Sequence, residues 1–253
     1  MATKAVIQVK DMEAGYGGTT ILSNVSFEVY EGEIFGILGG SGCGKSTLLK
    51  HLIGLYPPRA GEIIIDGDSL IPDDPETYKR ILRKIGVLYQ SGALLGSLTV
   101  GENVALPIRE YTDLTPAAID AMVKMKLGLV HLDGYEHHYP AQLSGGMKKR
   151  AGLARAMALN PRILFFDEPS AGLDPISAAE LDQLILRLNK GFRTTMVIVT
   201  HELASIFAVL NRVILLDKQT KGIIAIGSPA ELQGQSTDLY VKSFFNRRPL
   251  PQE

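Results

Sequence analysis

Gly39-Gly40-Ser41-Gly42-Cys43-Gly44-Lys45-Ser46-Thr47 follows the apolar run Ile34–Leu38 and opens a stretch of helical character, Ser46–Leu55, which Pro57 and Pro58 stop. Gly39, Gly44, Lys45 and Ser46 occupy the defining places of the pattern G-x-x-x-x-G-K-[ST]. Glycines let a backbone curl until several N–H groups face one anion, and the helix that follows adds its positive end. Lys45 would then reach the β/γ-phosphates, and the Ser46 hydroxyl would ligate Mg²⁺. Cys43 has two readings: a small residue tolerated in a tight loop, or a regulatory thiol. A helix N-terminus lowers a thiol pKa, so sensitivity to alkylation is expected under either.

Outward from this loop, β-branched runs alternate with helical stretches, which favours a sheet covered by helices. Val6–Val9, Val25–Val29, Gly61–Ile65 and Val87–Gln90 read as strands, with a turn at Asp66-Gly67. Further strands are expected at Ile163–Phe166, Met196–Val199, Val213–Leu216 and Ile223–Ile226, with helices at Pro175–Asn189 and Leu203–Leu210. Between Thr99 and Asn160 no long β-branched run occurs. Pro116–Val130 places Ile119, Met122, Val123, Lys126 and Leu127 near one helical face, and Ser144–Leu159 reads as a second helix ended by Asn160-Pro161. This middle reads as a helical insert in an α/β core. The end from Ser236 is mixed, and its tip, Arg247 to Glu253, is expected to be loose.

The chain has 253 residues, 26 basic and 27 acidic, and a single cysteine. One cysteine excludes an intrachain disulfide framework and a Cys-rich zinc site. The balanced charge gives no global pull toward nucleic acid, and no nucleic-acid partner is expected. Lys148, Lys149 and Arg150 read as a solvated helix face, since no aromatic residues interleave them. Met1-Ala2-Thr3-Lys4 carries no apolar run behind it, so no signal peptide is expected. The apolar runs have core-strand lengths, so no membrane span is expected.

Ile163-Leu-Phe-Phe-Asp167-Glu168 is a buried-strand pattern ending in two carboxylates. Asp167 would hold the Mg²⁺ shell, and Glu168, one residue on, could orient or deprotonate water. Leu143-Ser144-Gly145-Gly146-Met147 precedes a helix shortly before it, and Ala171-Gly-Leu-Asp174 comes just after. Gln90 ends a strand well past the glycine loop, and His201 follows Met196–Val199. Together, in this order and spacing, these pieces resemble the ATP-binding subunits of ABC transporters over nearly the whole chain.

The resemblance implies an α/β P-loop NTPase of ABC type, with a mixed sheet core, an inserted helical subdomain and a small antiparallel β subdomain. It implies one domain over 1–246, with a RecA-like core at 1–90 and 161–235, a helical subdomain at about 91–160, and a partly loose tail at 236–253. It assigns ATP and Mg²⁺ as the bound groups. Tyr16 would stack on adenine, its bland reading being an ordinary loop tyrosine. Gly39–Thr47 would bind the phosphates. Gln90 would touch the Mg²⁺ and water region and report to a membrane partner. Asp167 and Glu168 would be the Mg²⁺-holding and catalytic carboxylates. Asp174 would shape the interface between subunits. His201 would sense the γ-phosphate, against the bland reading of a satisfied loop histidine. Ser144, Gly145 and Gly146 form a second anion-binding helix start. In the family this segment closes on the nucleotide held by the other subunit, so a head-to-tail homodimer with two sandwiched ATP molecules is implied.

Where the general pattern has Gln after Ser-Gly-Gly, Met147 stands here. With Gln90-Ser-Gly-Ala-Leu-Leu95, Leu98–Val104, Arg109–Leu114, Asp174–Leu181 and His201–Phe207, this resembles the ATPases of MCE-type lipid transporters, the maintenance-of-lipid-asymmetry (Mla-type) group. That implies phospholipid transport, an integral-membrane permease, a periplasmic MCE-type lipid-binding protein, and peripheral attachment at the cytoplasmic face of the inner membrane. Some members add a small STAS-fold subunit. Ser91–Pro107 would line the groove for the permease, its bland reading being a loop and helix packed on the core. Phe244 and Phe245 either dock on a partner or cap the chain's own core. Alternatives are an importer ATPase for another solute, a soluble ABC ATPase of repair or translation, or a binding module that does not hydrolyse ATP. Glu168 and His201 both being present argues against the last, and one cassette's length against the soluble class.

Overall fold

The computed structural model describes residues 4–70 and 74–249. In chain order its strands are β1 (Ala5–Tyr16), β2 (Thr19–Tyr30), β3 (Ile34–Gly39), β4 (Ala60–Ile65), β5 (Asp68–Ser69), β6 (Ile85–Leu88), β7 (Ile163–Asp167), β8 (Thr195–Val199), β9 (Arg212–Asp217) and β10 (Gly222–Gly227). Its helices are α1 (Lys45–Leu52), α2 (Pro75–Lys84), α3 (Val100–Tyr111), α4 (Pro116–Leu129), α5 (Gly145–Ala156), α6 (Pro175–Phe192), α7 (Leu203–Val209), α8 (Pro229–Gln235) and α9 (Leu239–Asn246). They fall into two compact units, Met1–Ile81 with Thr195–Glu253, and Leu82–Thr194.

The first unit carries two sheets. One is antiparallel, in the order β2-β1-β4-β5. Its long hairpin turns at Gly17-Gly18, both with positive φ, and the next turn at Asp66-Gly67 has the same signature. Two positive-φ residues match the twist of a two-residue hairpin loop. β1 and β2 have 12 residues each, far longer than Val6–Val9 and Val25–Val29. The reason is a bulge: Asp11 sits at φ 46, its N–H donates to Ser26 Oγ, and the register shifts between Val9 and Met12. A bulge breaks the period-two alternation by which a strand is recognised.

The other sheet runs β10-β9-β3-β8. β3 is parallel to β8 and β9, and β10 is antiparallel to β9. Every residue of β3 and β8 is buried, as continuous apolar runs in parallel strands require. The mixed sheet and the separate antiparallel sheet are the two β parts expected from the sequence. The segment from Ser236 is not a mixed coil. Asp238 caps α9 by accepting from Tyr240 N and Val241 N, and Val241 and Phe245 are buried. Phe245 meets Phe207 of α7 edge-on at 6.1 Å and so caps the chain's own core. The last four residues of the expected loose tip, 250–253, lie outside the described residues.

The second unit holds the parallel pair β6–β7 and the helices α3, α4, α5 and α6. The expected face of α4 is buried at Ile119, Val123, Lys126 and Leu127, with Met122 only half-buried. Lys126 Nζ donates to Asn160 Oδ1 at 2.5 Å, which gives a buried cation a partner. α5 is shorter than Ser144–Leu159: Ser144 is its N-cap and Met157 its C-cap. Ala158 N then bonds Arg155 O, and Asn160 turns left-handed at φ 51. α6 instead runs past Asn189 to Phe192. α2 and α8 have no counterpart among the expected helices, and α3 corresponds only to the unbounded helix in the bland reading of Ser91–Pro107. Two were marked by capping boxes, Thr99-x-x-Glu102 for α3 and Ser228-x-x-Glu231 for α8. Among the described residues no helix is long and apolar enough to cross a membrane.

Candidate functional site

In the first unit, β3 runs into the glycine loop and the loop into α1. Gly39, Gly42 and Gly44 take φ of 147, 75 and 103, values in the region where a Cβ is strained. Gly44 is the N-cap of α1, so the first-turn amides, which no helix can pair internally, face the loop. Lys45 Nζ lies across that loop and donates to Gly39 O at 2.8 Å and Gly40 O at 3.0 Å. Ser41, Gly42 and Ser46 are exposed, and Thr47 is buried. Cys43 is 2% exposed, and burial pushes its thiol pKa up, against the pull of Lys45. The expected alkylation-sensitive thiol is therefore corrected: the sulfur is buried, and desolvation outweighs the pull of Lys45.

β3 and β8 pair with Ile37 opposite Val199. Two residues further along each strand direction stand Gly39 and His201. His201 is exposed and directly precedes Glu202, the N-cap of α7. Tyr16, at the end of β1, lies against α1: its ring is stacked 6.4 Å from His51 and edge-on to Tyr56 at 4.9 Å, with Lys50 Nζ 5.8 Å from its centroid. Tyr16, the glycine loop and His201 thus share one unit.

The second unit repeats this geometry. β6 and β7 pair with Leu88 opposite Phe166, and two residues further stand Gln90 and Glu168. Gln90 lies in a turn past the strand, because β6 is Ile85–Leu88 and not Val87–Gln90. Residues just beyond the carboxyl ends of parallel strands are where such sheets bind ligands. Glu168 has φ 47, a left-handed backbone that is uncommon for a residue other than glycine. It opens a tight turn in which Ala171 N bonds Glu168 O and Leu173 N bonds Ser170 O. Asp174 then caps α6, accepting from Ile176 N and Ser177 N at 3.0 Å. Hydrogen bonds from Ser177 hold its carboxyl below the usual range.

α5 ties these pieces together. At its start, Ser144 accepts from Met147 N, and Ser144 and Gly145 are exposed. Arg155 donates to Gly92 O and Ala93 O, just after Gln90. Lys149 is 5% exposed, and its Nζ donates to Pro169 O and Ala171 O at 2.5 Å. Lys149 is therefore not on a solvated face. It is a clamp on the turn after Glu168 that sequence reasoning missed, because a lysine in a basic triplet carries no sign of burial. Arg150 beside it pairs with Glu180. Lys149→Met keeps the stem but leaves two carbonyls without a donor, and is expected to cost ~1–3 kcal/mol of stability. Thermal denaturation of the full chain reads this, and Lys149→Arg is expected to retain most of the lost stability.

Among the described residues no cluster of three or more His, Cys, Asp or Glu could hold a metal by itself. Mg²⁺ needs none, since it is held by one or two oxygen ligands together with substrate phosphates. The Ser46 hydroxyl in the first unit and, separately, the Asp167 carboxylate in the second are each hard oxygen donors suited to such an ion.

Residues 22–171 match the ABC transporter family model (ABC_tran). The chain belongs to the ABC transporter family. As an ABC ATPase it is an ATP-binding subunit that hydrolyses ATP. It is 40% identical, over 98% of its own length and 71% of the relative's, to the "Probable ribonucleotide transport ATP-binding protein mkl" of Mycobacterium leprae. It is 39% identical, over 94% of its length and 89% of the relative's, to the "Intermembrane phospholipid transport system ATP-binding protein MlaF" of Haemophilus influenzae. Among solved structures it is similar to the dimeric post-hydrolysis state of the ATP-binding cassette MJ0796 bound to ADP and Pi. That likeness has a TM-score of 0.79 and 31% identity, covering 88% of this chain and 98% of the other.

Proposed function

We propose that this ABC ATPase drives phospholipid transport between membranes, as the peripheral motor of a complex with an integral-membrane permease and a periplasmic MCE-type lipid-binding protein. The observation that carries this is the likeness to MlaF along almost the full length of both chains. A second reading, a ribonucleotide transporter ATPase, has the mkl likeness in its favour. The relative there extends further beyond the matched region. The cassette over 1–246 works at the cytoplasmic face of the inner membrane, with Ser91–Pro107 turned to the permease and a STAS-fold subunit as an optional addition.

Two copies close head to tail on two ATP molecules. Tyr16 receives adenine, and Gly39–Thr47 cradle the phosphates with their amides. Lys45 exchanges its two loop carbonyls for phosphate oxygens. Ser46, Asp167 and Gln90 would hold Mg²⁺, which would supply charge neutralisation at the phosphates. Glu168 takes the proton of the attacking water, and His201 contacts the γ-phosphate. Ser144, Gly145 and Gly146 bring the start of α5 to the partner's nucleotide, with Asp174 at the subunit interface. Contacts made only with the γ-phosphate present tie closure to the nucleotide state.

Native co-purification tests the cargo. The tagged chain, drawn gently from membranes, is expected to bring a permease and an MCE-domain protein with bound phospholipid, identified by mass spectrometry. A different permease with a solute-binding protein would discard the lipid reading and keep the ATPase. Recovery from the soluble fraction alone would discard the transport complex.

A further inference from the structure

The C-terminal helix reaches the phosphate loop. α9 is anchored by the buried Val241 and Phe245 and oriented by its Asp238 cap. On its first turn it carries Tyr240, whose hydroxyl oxygen lies against Gly40. A methyl group at position 40 would sit 2.8 Å from it, with nothing else within 4 Å. The Gly40 peptide is engaged on its other side too. Its carbonyl accepts from Lys45 Nζ at 3.0 Å and from Cys43 N at 3.4 Å. Burial raises the Tyr240 phenol, and the Gly40 backbone opposes that rise, in keeping with a hydroxyl packed directly against the loop at this glycine.

The geometry points to Tyr240 as a positioning residue of the nucleotide site: its hydroxyl holds the Gly40 peptide, through which α9 sets the pose of the phosphate loop and restricts position 40 to glycine. Gly40 lies between Gly39 and Gly42, which both have positive φ. Such a loop is free to take other backbone shapes, so an outside support at Gly40 narrows its choices. Lys45 Nζ shares the Gly40 carbonyl, and the support therefore extends to the lysine that meets the phosphates. This rests on the reading that Gly39–Thr47 cradles ATP.

The test is a pair of substitutions in the full chain, read by titration of a fluorescent ATP analogue and by ATPase kinetics. Tyr240→Phe removes only the oxygen. It is expected to raise Kd and KM for ATP a few-fold, with kcat and Tm unchanged. Gly40→Ala drives a Cβ into the hydroxyl, and overpacking of this kind is expected to weaken ATP binding about tenfold. In the Tyr240→Phe background that oxygen is gone, and Gly40→Ala should then cost no more than about twofold. Equal losses in both backgrounds would overturn the proposal, as would unchanged affinity in Tyr240→Phe, which decides the matter alone if Gly40→Ala does not fold. Lys45→Ala separates the two readings. If it retains full ATP affinity the loop itself is misassigned, whereas if it loses affinity while Tyr240→Phe does not, only the role of Tyr240 falls.

Discussion

Glu168→Gln is expected to leave ATP binding intact and to cut turnover by about 10²–10⁴-fold, the usual worth of a positioned general base. The amide keeps the size and polarity of the carboxylate but cannot accept the proton of water. The surroundings make the change local. Glu168 leaves β7 after four fully buried apolar residues, and its left-handed backbone at φ 47 is closed by the bond from Ala171 N. Lys149 grips the carbonyls of Pro169 and Ala171. These bonds are made by backbone carbonyls and the Lys149 ammonium, and the amide keeps the length of the side chain, so the turn should survive the substitution. With hydrolysis blocked, the closed state should accumulate, and size-exclusion chromatography with Mg-ATP is expected to show a dimer. A monomer throughout would overturn the two-chain sandwich, and wild-type turnover would remove Glu168 from the base role.

Lys45→Ala is expected to weaken ATP binding by about tenfold to a hundredfold, the range for losing hydrogen bonds to a charged group. Lys45 Nζ is held by Gly39 O and Gly40 O. The ammonium is therefore already over the loop when phosphate arrives, and little ordering remains to oppose binding. Because the substitution also strips two loop carbonyls of their donor, Tm is to be measured with the affinity. An unchanged Kd for a fluorescent ATP analogue would contradict the role of Lys45, and lost affinity with an unchanged Tm would place the effect at the nucleotide.

The parts of the fold that were legible from residues alone are those where local chemistry has one solution. Ile34–Gly39 is too apolar to lie anywhere but inside a sheet, and the glycine pattern after it accommodates the φ values found at Gly39, Gly42 and Gly44. Asp66-Gly67 marked its hairpin turn for the same reason. The long hairpin was legible only in fragments, since the bulge at Asp11 shifts the faces of β1 midway. The bounds of α3 were not legible despite its capping box. Its buried Gly101 and Asn103 lie on the inward face, where Asn103 donates to Leu95 O and Thr99 O, so the apolar periodicity is interrupted.

Residue type and order were enough to indicate a phosphate-binding α/β chain and to nominate Gly39–Thr47, Asp167 and Glu168, because motif spacing is a property of the chain itself; the roles of Gln90 and His201 were implied by the resemblance to ABC ATP-binding subunits. Burial and partnership are not such properties. Lys149 belongs to a basic triplet in the sequence and to the inside of the second unit in space, since the carbonyls that hold it come from residues about twenty positions away. Cys43 is a loop residue by position and a buried thiol by packing. Gly40 has an ordinary place in the glycine pattern until Tyr240, some two hundred residues on, is brought against it by α9. Desolvation and close approach depend on which distant atoms fill the space around a group, and only the folded chain decides that.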